Sequence, residues 1–212
     1  MIKRFYEKYW AHETVDSRAH ASKTPQWTKE NLEIIFRAAS NFFKGGRLLD
    51  VGCGDGEFLK NLKQRFTARA CGVDISETAL KIAQSSNYDS GFISGEITDL
   101  PFKDNTFDFI TIVEVAEHII DTYSLFKELF RVLRPHGRLL VTTSDFNFLK
   151  KIIIAGLFFD KYFYPTGPHI RFFTHKTLKN LMERCGLKEI SYSWNGSYLG
   201  IMPRGQILIA EK

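Results

Sequence analysis

A nine-residue run, LLDVGCGDG at Leu48 to Gly56, restricts the folds open to this chain more than any other feature. Two aliphatic residues and an acid lead into glycines at every second position. The segment that follows, EFLKNLKQRF, places Phe58, Leu59, Leu62 and Phe66 on one helical face. The run therefore reads as a strand that feeds a helix through a loop free of Cβ atoms. In an open α/β sheet such a loop sits at the carboxyl edge, where backbone N–H groups and the positive end of the helix can approach a ligand closely.

From Gly46 onward, short apolar runs alternate with helical periodicity, the pattern of βα units and a parallel sheet. RLLDVG, ACGVDI, GFISGEI, FDFITIV and GRLLVTTS read as five strands. SETALKIAQSS reads as a helix capped by Ser76. SLFKELFRVLRPHG carries a Leu125, Phe126, Leu129, Phe130, Leu133 stripe and reads as a helix stopped at Pro135 and Gly137. After THKTLKNLMERCG, a helix closed by Gly186, LKEISYSW and QILIAEK follow with no helix between them, which predicts an antiparallel pair. Residues 1–45, with Phe5, Tyr6, Tyr9, Trp10 and Trp27, precede the sheet and read as an N-terminal helical lid to a single domain over 46–212.

Three ligand types could use the glycine loop: a dinucleotide, a nucleoside triphosphate or a nucleoside sulfonium. Dinucleotide loops read G-x-G-x-x-G, and here the third glycine arrives one residue early. No Lys followed by Ser or Thr completes a phosphate-binding loop. Asp74, ending the next strand in GVDIS, can accept hydrogen bonds from ribose hydroxyls. Asp50, two residues before the first glycine, sits where an acid can hold an ammonium group.

Taken in order, LLDVGCGDG, GVDIS, GEITDLPFKDNTFDFI, VEVAEHI and ELFRVLRPHGRLLVTT resemble the motifs of class I S-adenosylmethionine-dependent methyltransferases. The resemblance implies an α/β, Rossmann-like seven-stranded mixed sheet, mostly parallel with an antiparallel C-terminal strand and helices on both faces. It also implies that Gly52, Gly54 and Gly56 pack against the methionine part of S-adenosylmethionine, with Cys53 a small residue behind it and Asp50 towards its amino group. Asp74 would bind the ribose, Ile75 would lie against the adenine and Val113 would line the pocket. Where the family often has Asp to hold the adenine amino group this chain has Glu96, which leaves Asp99 as a substitute; Ile97 would offer its backbone N–H to the ring.

Because a sulfonium methyl is already activated, in-line transfer mainly needs the acceptor held close and aligned. A base is needed only for a weakly acidic hydroxyl or a protonated amine. EVAEH supplies candidates: on a helix start, Glu114, Glu117 and His118 share a face, and two carboxylates with an imidazole suit Mg²⁺ or Mn²⁺. Similar E-x-x-E-H segments occur in ubiquinone-biosynthesis O-methyltransferases and small-RNA 2′-O-methyltransferases, where they are associated with a divalent metal. His169 in GPHIRFF would be the later histidine. His118 and His169 are the catalytic candidates, and whether they serve as metal ligands, as a metal-free base or only as packing stays open.

Composition narrows the setting. Lys plus Arg number 29 against 24 Asp plus Glu, a net +5 spread along the chain, which permits a nucleic-acid acceptor without arguing for one. Cys53, Cys71 and Cys185 have no metal-ligand spacing and suit a reducing compartment, so the cytosol is the expected location. No apolar run is long enough for a transmembrane helix. KKIIIAGLFFDKYFY, residues 150–164, reads as a lid over an apolar acceptor, a membrane-surface contact or ordinary packing. His136 in its Pro-His-Gly turn, and His12 and His20, read as solvated. The expected activity is methyl transfer to oxygen of a small or lipid-like molecule; the alternatives are RNA 2′-O-methylation and a non-catalytic, cofactor-binding regulatory partner.

Overall fold

A computed structural model describes residues 2–11, 29–86, 89–163, 169–198 and 202–212; Trp27, His12 and His20 lie outside them. Its elements are α1 (Ile2–Trp10), α2 (Lys29–Phe42), β1 (Gly46–Val51), α3 (Glu57–Arg65), β2 (Ala68–Asp74), α4 (Glu77–Ser85), β3 (Gly91–Ser94), β4 (Phe107–Val113), α5 (Thr122–Val132), β5 (Leu133–Ser144), α6 (Phe148–Leu157), α7 (Phe159–Tyr162), α8 (His175–Arg184), β6 (Lys188–Tyr198) and β7 (Met202–Glu211), with a 3₁₀ turn at Ala116–His118.

The seven strands form one sheet in the order β3-β2-β1-β4-β5-β7-β6. The first five pair in parallel, and β7 runs antiparallel to both β5 and β6. Strand order reverses between β1 and β4, so a crevice opens at their carboxyl ends, where such sheets take ligands.

Period-2 alternation divides the core. Leu48, Phe109 and Leu140 face one way and pack with Ile35, Phe36 and Ala39 of α2 and Phe58, Leu59 and Leu62 of α3. Leu49, Ile110 and Val141 face the other way against Leu125, Phe126 and Leu129 of α5 and Leu178 and Met182 of α8. The described part of residues 1–45 thus divides: α2 is a core layer, whereas α1 lies over the glycine loop.

Side-chain caps start α4, where the sequence predicts Ser76, and α8. Ser76 accepts from Ala79 N, and Thr174 with Thr177 forms a reciprocal capping box on α8. Several boundaries differ from the expectation: β5 starts at Leu133, β6 runs on to Tyr198 and β7 starts at Met202. Helix α5 stops at Val132 rather than Pro135, because Asn105 N and Thr106 N take the carbonyls of Arg131 and Val132, and Leu133 then pairs with Phe107. Strand β3 ends at Ser94, short of Ile97, where Gly95 N bonds Asp74 O and a turn closes by Asp99 N to Glu96 O.

Candidate active site

Gly52, Gly54 and Gly56 all take left-handed φ values, 73°, 53° and 75°. A Cβ on Gly52 would fall 2.4 Å from Val115 Cγ2, and one on Gly54 would fall 2.6 Å from Trp10 Cζ2, so neither position tolerates a side chain. The loop is stitched to the end of β2: Gly52 N and Cys53 N both donate to Val73 O, and Gly54 N donates to Asp74 Oδ2 at 2.8 Å. Asp74 Oδ1 accepts from Ser76 N at 2.9 Å. Burial raises the Asp74 pKa while the backbone N–H groups of Ser76, Gly54 and Ile75 oppose the rise. Cys53 is buried, and its thiol is pushed far up by burial and then by the Asp50 and Asp74 charges, which disfavours the thiolate.

Asp50 is buried in β1 and accepts a 2.7 Å hydrogen bond from Thr111 Oγ1, its register partner on β4. Burial pushes its pKa up to about 7, Thr111 works against the rise, and the Asp74 charge adds to it. A cation placed here would reverse that cost.

Ile75 is half-buried beside Asp74 and Val113 is buried at the end of β4, both at the same sheet edge. The bond from Gly95 N to Asp74 O places exposed Glu96 and half-buried Ile97 beside the β2 terminus, with Asp99 exposed one turn on.

Glu114 departs from the helix start that its spacing predicts. It takes a left-handed φ of 54°, donates its N–H to Thr142 O, and accepts from Thr142 Oγ1 at 3.0 Å. The chain then makes one 3₁₀ turn. Glu117 points inward, 2% exposed, and among the described residues neither of its carboxylate oxygens has a hydrogen-bond partner. Burial raises its pKa well above the usual carboxylate range, and the neighbouring Glu114 raises it further. Its carbonyl accepts from both Ile170 N and Arg171 N at 3.0 Å. These two bonds bring His169 to His118, ring centres 4.8 Å apart. Donor atoms of Glu117, His118 and His169 all lie within 4.8 Å of one another, a grouping that leaves out Glu114.

Helix α1 closes over this edge. Glu7 accepts from Glu77 N, Thr78 N and Ser76 Oγ at the start of α4, and Tyr6 meets His118 edge-on at 6.2 Å. Burial pushes the Tyr6 hydroxyl up, followed by the Asp74 and Glu117 charges, so this ring spans the two halves of the site. Sequence reasoning noted Tyr6 and Trp10 only as aromatics and missed Glu7 and Thr111. Strand register would have found Thr111; Glu7 acts across seventy residues of chain and leaves no local signal.

Comparison with known proteins agrees with this geometry. Residues 49–141 match a family model described as a methyltransferase domain. The chain is 29% identical over 161 residues to the demethylmenaquinone methyltransferase of Symbiobacterium thermophilum, a match that takes in 72% of this chain and 63% of that protein. It is 34% identical over 103 residues to the chloroplastic tocopherol O-methyltransferase of Arabidopsis thaliana, covering 46% and 30%. Its fold matches an S-adenosylmethionine-dependent methyltransferase from Mesorhizobium loti with a TM-score of 0.68 at 17% identity, over 87% of this chain and 99% of that one. Residues 49–141 thus resemble a methyltransferase domain, and the fold is shared with a methyltransferase named for its dependence on S-adenosylmethionine. The chain spans less than two thirds of the length of these two curated relatives.

The residues present fit that cofactor. Asp50 offers a buried carboxyl without a cationic partner among the described residues, and each Asp74 oxygen keeps a second lone pair beyond its backbone bond.

Proposed function

We propose that this chain is an enzyme that transfers the methyl group of S-adenosylmethionine to an oxygen of a small, lipid-like acceptor by in-line displacement. The observation that carries the reading is the convergence of His118, His169 and Glu117 on the sheet edge that also holds the glycine loop, Asp50 and Asp74. Asp50 would hold the ammonium group, Asp74 the ribose hydroxyls, and Ile75, Glu96 and Ile97 the adenine. When bound, the cofactor supplies a methyl already activated on a sulfonium, so displacement gives a methyl ether and a neutral thioether.

The remaining work belongs to the chain. His118 takes the proton of the acceptor hydroxyl as the O–C bond forms, and His169 orients that ring. Tyr6 and Trp10 on α1 exclude water. Val113 and the aromatic residues after β5 supply an apolar wall, in keeping with relatives named for demethylmenaquinone and tocopherol.

A second reading of the same cluster is a divalent cation on Glu117, His118 and His169, favoured by the two carboxylate oxygens of Glu117 that lack partners among the described residues. The three free cysteines suit a reducing cytosol as the working compartment.

The test is methyl incorporation from labelled cofactor into phenolic lipids, with simple amines and RNA as comparison arms. His118→Ala should lower turnover on the phenolic acceptor by about 10²–10⁴ and leave S-adenosylhomocysteine affinity unchanged. Full turnover by the variant would remove His118 from the chemistry, and incorporation into RNA or amines alone would overturn the acceptor class.

A further inference from the structure

We propose that helices α6 and α7, together with Ile120 and Ile170, form a face that docks on the surface of a lipid bilayer containing anionic headgroups, and that this holds the mouth of the acceptor site against the membrane. The inference rests on the lipid-like acceptor reading for its purpose, and its physical basis is separate.

An amphipathic helix on a globular protein normally turns its apolar stripe inward and its polar residues outward. Helix α6 does not. Its buried residues are Ile154 and Lys150, whose ammonium reaches Arg204 O, while Phe148, Leu149, Ile152 and Leu157 are exposed, Phe148 and Leu157 by about three quarters. Phe158, Phe159 and Phe163 continue the exposed apolar surface through α7. Of the three readings open for this segment, ordinary packing does not fit, because a covered stripe would not leave seven large apolar side chains exposed. At ten residues α6 is ~15 Å long, which suits a helix lying in a bilayer interface, and no helix among the described residues is long and apolar enough to cross a membrane.

The face is continuous with the active site. Phe159 packs on Phe163, Phe163 on Phe172 and Phe172 on Phe146, with ring centres 4.7 to 4.9 Å apart, an aromatic path from the exposed surface to the buried end of β5. Exposed Ile120 follows the turn that holds His118, and exposed Ile170 follows His169; Arg171 joins the two loops through Ile120 O. An acceptor with an apolar tail would leave a bilayer along this path without crossing water.

The charges choose the occupant. Among the described residues of α6, α7 and 169–174, Lys151 and Arg171 are exposed against one exposed acid, Asp160, while Lys150 is buried. Apolar side chains inserted at headgroup depth with cations at their border match a bilayer of negative surface potential.

Flotation of the purified chain with vesicles of phosphatidylcholine, alone and mixed with phosphatidylglycerol, tests this without cofactor or acceptor. The wild type should float with the mixed vesicles and less with phosphatidylcholine alone. Phe148→Ser combined with Leu157→Ser should weaken partitioning by about tenfold or more, and Lys151→Glu should weaken it on the mixed vesicles only. Circular dichroism and S-adenosylhomocysteine binding show that the variants remain folded. No vesicle binding by the wild type, or equal binding by the double variant, overturns the proposal. So does a concentration-dependent dimer, without vesicle binding, that the double variant abolishes. Vesicle binding with no turnover of phenolic lipids would sink the acceptor reading alone.

Discussion

Asp50 shows how one residue couples fold, pH and ligand. Its pKa of about 7 stands above an unfolded value of 3.8, so its contribution to stability is full below pH 3.8 and is lost as pH rises through 7. Three pKa units amount to ~4 kcal/mol at most. Asp50→Asn keeps an oxygen for Thr111 and removes this slope, so thermal unfolding should find the variant more stable than the wild type above pH 7, and no more stable near pH 4. A bound ammonium draws the pKa down, so cofactor affinity in the wild type should fall by up to about tenfold per pH unit below 7; a flat calorimetric affinity from pH 5 to 8 would remove Asp50 from the ammonium site. The residue itself was legible, since an acid two positions before a glycine loop has few reasons to be there. Its partner was not, because Thr111 lies on β4 and only register brings it across.

At the level of elements, the strands and the glycine turn could be read because period-2 and period-3.6 patterns are local. The EVAEH segment could be read only in part. Spacing implies a helical face, which the left-handed φ of Glu114 breaks, so Glu114 bonds Thr142 of β5 while Glu117 and His118 meet His169. The docking of α1 was also hidden. Burial opposes ionisation of Glu7, yet the hydrogen bonds from Thr78, Glu77 and Ser76 bring its pKa down to about 2. Its contribution is present above the ordinary 4.5 and is lost as pH falls through 2, so α1 should stay docked at mildly acid pH. Glu7→Ala removes that anchor and should cost about 1 kcal/mol, shift Trp10 fluorescence towards the red, and speed cofactor dissociation. Unchanged fluorescence and release would mean that α1 is held by its aromatics and the Lys3–Glu77 pair.

On the scale of the whole molecule, one sheet whose order reverses between β1 and β4 collects Asp50, the glycine loop, Asp74, Val113 and the histidine pair at a single edge. Residues 29–43 thicken the core rather than guard the site, and α6 and α7 face outward. The fold was legible because the βα repeats announce it, whereas the acceptor side is assembled by loops whose placement depends on contacts distant in sequence.

Cofactor binding at the glycine loop and Asp74 is the claim on which the rest stands, and calorimetric titration of S-adenosylhomocysteine into the wild type and Asp74→Ala tests it most directly. Loss of charge-assisted hydrogen bonds, each worth ~1.5 to 3 kcal/mol, predicts micromolar binding by the wild type and binding at least about tenfold weaker by the folded variant. Equal affinity in the two proteins, or no heat of binding in either, would contradict the account.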